Sequence, residues 1–163
     1  MLATRYELTG LTNRREASQR TREELALRPR RSQQAQSSFA VVLMDIDHFK
    51  RVNDTQGHAA GDEVLRRFAS VAESQIRVGE LLLRWVGEEF LLVLPGLSEH
   101  AALKAVERLR ERQACESFGH IALDLNITFS AGVACCGEGD GIDDTVARAD
   151  CALYEAKGSG RAV

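Results

Sequence analysis

Residues 39–47 read FAVVLMDID, an unbroken apolar run, β-branched in its middle, that ends in the acidic tip Asp45-Ile46-Asp47. Such a short run reads as a buried strand that delivers carboxylates to the end of a sheet. Downstream, from Gly61, the residues Val64, Leu65, Phe68, Val71, Ala72 and Ile76 recur at helical spacing, which predicts a helix of about four turns. Its apolar stripe needs a sheet to cover. Residues 81–85 and 90–94 are two short strands around Val86-Gly87-Glu88-Glu89, a hairpin by spacing that Pro95-Gly96 ends. Ser98 caps a helix with Ala102, Leu103, Val106 and Leu109 on one face. Within 121–135, Ile127, Phe129, Ala131 and Val133 alternate with Thr128 and Ser130, the period of a strand. Asp143 or Asp144 then caps a last helix with Val146, Ala149, Leu153 and Ala156 inward. Upstream, 12–27 is a charged helix closed by Pro29, and 30–38 is a polar loop. Without its first helix, the order α, β, α, β, β, α, β, α leaves βαββαβ and a terminal helix. That is the split-βαβ, ferredoxin-like form of an α+β fold, an antiparallel-rich sheet covered by helices on one face.

At 163 residues the chain is long enough for one domain of ~100 to 200 residues and too short for two with real interiors. A composition of 44% hydrophobic and 28% charged residues excludes a wholly disordered or collagen-like chain. The apolar runs at 39–44 and 90–94 fall far short of the ~20 residues that span a bilayer, and no signal peptide is evident. We therefore expect a soluble, cytoplasmic segment with no membrane contact of its own. The net charge of −3 gives no reason to expect nucleic-acid binding by counterion release. Residues 1–38 hold eight of the 21 basic and four of the 24 acidic residues, so the rest carries 13 and 20. An acidic body that handles phosphate needs a divalent metal or a few well-placed cations. Cys115, Cys135, Cys136 and Cys151 have neither zinc spacing nor the density of a disulfide scaffold and read as reduced thiols.

The tip at 45–47 and the pair Glu88-Glu89 converge if their strands are neighbours, and two close carboxylates repel unless a cation lies between them. Oxygen ligands of this kind suit Mg²⁺, which keeps waters and takes its other ligands from substrate phosphates. Between the two pairs stand Lys50, able to neutralise phosphate, and Asn53 and Asp62, which have the groups to read a purine edge. Lys157 and Arg161 flank a flexible Gly158-Ser159-Gly160. Each residue also fits a plainer role: solvated turn acids, Asp62 facing a helix dipole, Asn53 forming a turn, Lys157 ending a helix.

Taken in order and spacing, LTGLTNRR (8–15), MDIDHFKRVNDTQGHAAGDEVL (44–65), RWVGEEF (84–90), ITFSAGVA (127–134) and ADCALYEAKGSGR (149–161) resemble the GGDEF domain of diguanylate cyclases over almost the whole chain. The resemblance implies a nucleotide-cyclase, palm-like version of the fold with helices packed around the sheet. It also implies a single domain over 1–163, with an N-terminal motif, helix and loop at 1–38 and a catalytic core at 39–163. The implied reaction condenses two GTP to cyclic di-GMP and two pyrophosphates in a homodimer that holds one GTP per subunit. Asp45, Glu88 and the Ile46 carbonyl would bind Mg²⁺ or Mn²⁺, and Glu88 would act as base toward the ribose 3′-hydroxyl. Lys50 would steady phosphate charge, Asn53, His58, Asp62 and Gly87 would hold the nucleotide, and Lys157 and Arg161 the terminal phosphates. His58 also fits a local helix cap.

Three departures stand out against the family. The signature reads Val86-Gly87-Glu88-Glu89-Phe90, with valine in place of the first glycine, a residue that takes positive φ and lets backbone approach a nucleotide. The family's product-inhibition motif, RxxD, reads Arg77-Val78-Gly79-Glu80, whose longer acid implies a weakened inhibitory site; an ordinary helix-to-strand junction is the alternative. Tyr6 stands where the family usually has an aspartate. A catalytically silent module that binds GTP or cyclic di-GMP and acts through a partner is the competing function, and Val86 is its main support. An RNA-binding sheet of the same topology would need a stacking aromatic pair that the central strands lack. The motifs begin close to Met1 with no sensor or receiver segment, so a piece of a larger regulated protein is expected.

Overall fold

The run at 39–46 forms β1 (Phe39–Ile46), which is buried along its whole length because both of its faces are covered. Ala40, Val42, Met44 and Ile46 face one side and Phe39, Val41 and Leu43 the other, so the strand needs no polar residue until its end. The computed structural model describes residues 7–27, 39–137 and 139–160. In it α1 (Arg14–Leu27) precedes β1, and α2 (Phe49–Gln56), α3 (His58–Gln75), β2 (Leu81–Val86), β3 (Glu89–Pro95), α4 (Glu99–Ala114), β4 (Phe129–Cys135) and α5 (Ile142–Gly158) follow. The strands form one sheet in the order β2-β3-β1-β4, and each neighbouring pair is antiparallel. This is the split-βαβ order expected from the sequence.

Helices lie on both faces of the sheet, so the one-face arrangement holds only for the helices inside the split unit. Val64, Leu65 and Phe68 of α3 and Val106 and Leu109 of α4 pack on the side of Val42 and Met44. There the Phe68 ring lies 4.8 Å from that of Phe90 and 5.4 Å from that of Phe129. The terminal helix α5 covers the opposite face, with Val146, Ala149 and Leu153 against Val41, Leu43 and Val93. α1 lies beside β2 and α5, its Arg14 guanidinium 4.3 Å above the Trp85 ring.

Gly132 sets how closely α5 approaches. A Cβ built there would lie 2.0 Å from the Ala149 carbonyl oxygen and 2.4 Å from the Leu153 nitrogen, both backbone atoms of the helix.

Several boundaries differ from expectation. Residues 49–56 form a helix that sequence periodicity missed, because Val52 is its one buried residue. α3 begins at His58 and not Gly61, after Gly57 breaks the chain with φ 87°. Strand pairing begins at Phe129; residues 121–124 turn, with Asp124 at φ 62° and Leu123 90% exposed. Ser98 caps α4 by accepting the Ala101 N–H at 3.3 Å. At α5 the N-cap is Gly141, and Asp144 reaches back from the first turn to accept its N–H at 3.1 Å. Cys135 and Cys136 lie toward opposite faces of the sheet. Pro29, the loop at 30–38 and Tyr6 lie outside the described residues. Among the described residues no helix is long and apolar enough to cross a membrane.

Candidate functional site

The register of the sheet decides which acids meet. Asp45, at the end of β1, stands opposite Glu89 on β3 and Ser130 on β4. The odd-numbered residues of β1 and β3 face α5, so Asp45 and Glu89 share that face, where the last turn of α5 brings Lys157. The Lys157 ammonium donates to Asp45 Oδ1 at 2.6 Å, and only 9% of Asp45 remains exposed. Gly87 and Glu88 form the two-residue turn between β2 and β3, and Gly87 takes φ 53°. The turn is held by Arg84, whose Nε donates to the Gly87 carbonyl at 2.7 Å. It is tied to the tip by the Ile46 N–H, which donates to the Glu88 carbonyl at 3.4 Å. Thus the structure brings together Asp45, Ile46, Gly87, Glu88 and Lys157.

The electrostatics follow from this crowding. Burial pushes the Asp45 carboxyl up from its ordinary value, the Lys157 bond and charge oppose that, and Glu88 and Asp47 add to it. Glu89 is raised as well, first by burial and then by Asp45, Asp150 and Glu88. Partly dehydrated carboxylates around one ammonium form a site whose negative charge a further cation relieves. Among the described residues no three His, Cys, Asp or Glu side chains form a ready metal cage. The donor set instead fits a hydrated hard cation, which needs one or two carboxylates and takes water and phosphate oxygens for the rest. Asp45, Glu88 and the Ile46 carbonyl are the oxygens on hand.

A second group of candidates lies on α2 and α3. A Cβ built on Gly61 would come within 1.9 Å of Asn53 Oδ1, so the absence of a side chain at 61 is what seats the Asn53 amide against α3, at the residue that precedes Asp62 in the chain. Both Asn53 and Asp62 are half-buried. The first turn of α3 carries no acid, so Asp62 is not simply an N-terminal charge. His58 opens α3 and is exposed, with Gly57 as the N-cap, so His58 does not cap the helix. Lys50 is exposed in the first turn of α2. Arg161 lies outside the described residues.

Val86 ends β2 paired with Glu89, and a bulge lies between Arg84 and Val86. Among the described residues the non-glycine positions with positive φ are His48 and Asp124, so Val86 bears no left-handed strain, and the residue is 53% exposed. At the other end of β2, the Glu80 carboxylate accepts the Arg77 backbone N–H at 2.7 Å and closes the turn that leads into the strand. Glu80 also lines a small hollow between α3 and α4 together with Arg108. Arg108 escaped the sequence reading, since only helix packing brings it near a residue 28 positions earlier.

Comparison with known proteins identifies the family. The sequence model of the family described as "Diguanylate cyclase, GGDEF domain" matches residues 3–162. The chain is 40% identical over 154 residues to the diguanylate cyclase DgcP of Pseudomonas aeruginosa, covering 94% of this chain and 22% of that protein. It is 40% identical over 163 residues to the response regulator PleD of Caulobacter vibrioides, covering 98% of this chain and 35% of that protein. It thus spans between about a fifth and about a third of the length of these curated relatives. Among solved structures, the GGDEF domain of DgcB from Caulobacter crescentus in complex with c-di-GMP superposes with a TM-score of 0.86 at 30% identity, over 99% of this chain and 94% of that one. The diguanylate cyclase SiaD of Pseudomonas aeruginosa, in complex with its activator SiaC, gives 0.86 at 42% identity, over 98% and 60%.

Proposed function

The chain belongs to the GGDEF domain family of diguanylate cyclases, and from that premise we propose that it condenses two GTP to cyclic di-GMP and two pyrophosphates. One GTP is held by each subunit of a cytoplasmic homodimer, and residues 1–163 act as one domain with its catalytic core at 39–163. The observation that carries this reading is the meeting of Asp45, Glu88 and Lys157 at the hairpin. In it Asp45, Glu88 and the Ile46 carbonyl would hold Mg²⁺ or Mn²⁺, which would supply Lewis-acid polarisation of the α-phosphate. Asp62 accepts two N–H bonds from the guanine edge, Asn53 adds a donor and an acceptor, and His58 lies at the rim of the guanosine site. Gly87 lets the backbone of the turn approach the nucleotide. Glu88 takes the proton from the 3′-hydroxyl as that oxygen attacks the partner subunit's α-phosphate and pyrophosphate leaves in line. Lys50 steadies the charge that develops on the phosphate, and Lys157 and Arg161 meet the terminal phosphates. Incubation with GTP and Mg²⁺, followed by chromatography of the products, tests the reading. Unreacted GTP with intact binding favours the silent module.

Guanine selectivity rests on Asp62 in this account. Asp62→Ala weakens GTP binding about 10- to 100-fold, the worth of hydrogen bonds to a charged group, and leaves ATP binding unchanged. Calorimetry with both nucleotides measures this, and an unaltered GTP-to-ATP ratio removes Asp62 from the pocket.

Val86 in extended backbone weakens the strain argument for a silent module. Val86→Gly is expected to give no gain in turnover and to lower folded stability by about 0.5–1 kcal/mol through backbone entropy. Initial rates and a denaturant melt check both halves.

Product inhibition is assigned to the active half-site, because the Glu80 carboxylate is engaged by the Arg77 N–H and its extra methylene weakens any grip of the pair on a product. Cyclic di-GMP then competes with GTP, and Arg77→Ala leaves the competition intact. Noncompetitive inhibition abolished by Arg77→Ala contradicts the assignment.

A further inference from the structure

Asp47 belongs to the acidic tip by sequence, yet its carboxylate is used differently from that of Asp45. Its Oδ1 accepts from Ser130 Oγ and its Oδ2 from Thr128 Oγ1, each at 2.7 Å. Its N–H donates to the Thr128 carbonyl at 2.9 Å. These three bonds continue the pairing of β1 with β4 one step beyond Ile46 and Phe129, the last registered pair. Hydrogen bonds from hydroxyls to an ionised carboxylate are among the stronger ones a surface-near site can make. On its other side the tip is tied to the hairpin through the Ile46 N–H and the Glu88 carbonyl. The next residue, His48, turns the chain into α2 with φ 56° and ψ 28°. A non-glycine residue takes that conformation at a cost and needs its neighbours to hold it. α2 then carries Lys50 and Asn53, so one carboxylate sits between the two halves of the site.

We propose that Asp47 is a positioning residue and not a metal ligand: with Thr128 and Ser130 it clamps the tip to β4 and so fixes the Asp45–Ile46 edge that receives the cation. The inference rests on the cyclase reading for the identity of that edge as a metal site. It accounts for why Asp47 lies on the same face as Asp45 without sharing its ammonium. Each Asp47 oxygen already accepts a hydroxyl of β4 or the residue before it, so its orientation is set by that segment rather than by a cation at the Asp45 edge. Residues that orient metal ligands in this way typically cost about 10- to 100-fold in affinity or activity when lost.

The test reads Mn²⁺ binding to the nucleotide-free protein by electron paramagnetic resonance, with a thermal melt of each variant. Thr128→Val combined with Ser130→Ala is expected to weaken Mn²⁺ about 10-fold or more, and Thr128→Ser alone to bind as wild type. Thr145→Val is the control for plain stability, since the buried Thr145 hydroxyl donates to the Gly141 carbonyl at the start of α5 and bonds the Cys136 thiol, neither of which is at the acidic tip. It should lower the melting temperature and leave Mn²⁺ affinity unchanged. Tighter Mn²⁺ binding in the double variant would mean that the freed carboxylate is itself a ligand, and it overturns the proposal. Unchanged binding there, or an equal loss in Thr145→Val, overturns it too. A wild type that binds Mn²⁺ but makes no cyclic di-GMP removes the cyclase reading instead, and the clamp still stands or falls on the affinities of its variants.

Discussion

Asp45→Asn, and separately Glu88→Gln, lowers cyclic di-GMP formation by about 10³-fold, the equivalent of about 4 kcal/mol of transition-state stabilisation. Each change removes one of the two charged oxygens proposed to hold the cation, and a single carboxylate competes poorly with water for hydrated Mg²⁺. The loss should not come from unfolding. Burial raises the Asp45 carboxyl above its ordinary value of 3.8, so the folded state binds that proton more tightly than the unfolded chain does. The stability this contributes is fully present below the unfolded value and is lost as pH rises through the raised one. At neutral pH the charge is therefore a cost to folding, and the neutral amide leaves the melting temperature unchanged or higher. Lys157, whose side chain is 41% exposed, stays solvated without its partner. Glu89→Gln should matter much less to turnover, because Glu89 faces α5 beside Asp150 within the sheet and not at the turn. Steady-state rates and thermal melts of the three variants separate these outcomes, and equal loss in all three contradicts the allocation.

Gly132→Ala is expected to have the largest effect on folding of any single methyl group in the molecule. The new Cβ would meet backbone of α5 at 2.0 and 2.4 Å, and backbone cannot rotate away as a flexible side chain can. Either α5 moves off the sheet or β4 bends away from β1. Overpacking of this kind typically costs about 1–3 kcal/mol and occasionally more, and we expect the upper end, roughly 6–12 °C in melting temperature. Displacing α5 also carries Lys157 away from Asp45, so stability and activity fall together. Thermal and urea melts measure the first, and a variant as stable as the wild type shows that α5 is not seated as closely as described.

The strands and the hairpin were legible because alternation and turn chemistry are local. So were the split-βαβ order and the cap at Ser98. What was not legible depends on contacts between distant segments. Lys157 meets Asp45 across 112 positions, and nothing in either neighbourhood encodes the pair. The residue pattern alone put the helices on one face, because a run such as FAVVLM shows that a strand is buried without showing what covers each face; helices packed around the sheet came from the family resemblance. The helix at 49–56 has a single buried residue and so carried no periodic signal. Thr128 and Ser130 were visible as the polar side of an alternating strand, but their service to Asp47 needed the register of β1 with β4. Val86 illustrates the converse, since a departure from the family signature suggested strain that the extended backbone at that position does not carry.

The central claim is that this chain joins two GTP molecules. The direct measurement is a long incubation of the protein at high concentration with Mg²⁺ and either GTP or ATP, with products separated by chromatography and identified by mass. We expect cyclic di-GMP and pyrophosphate in a one-to-two ratio from GTP, and nothing but starting material from ATP. GTP bound in calorimetry yet recovered wholly unreacted, even when the protein is dimeric, contradicts the account and leaves a nucleotide-binding module in its place.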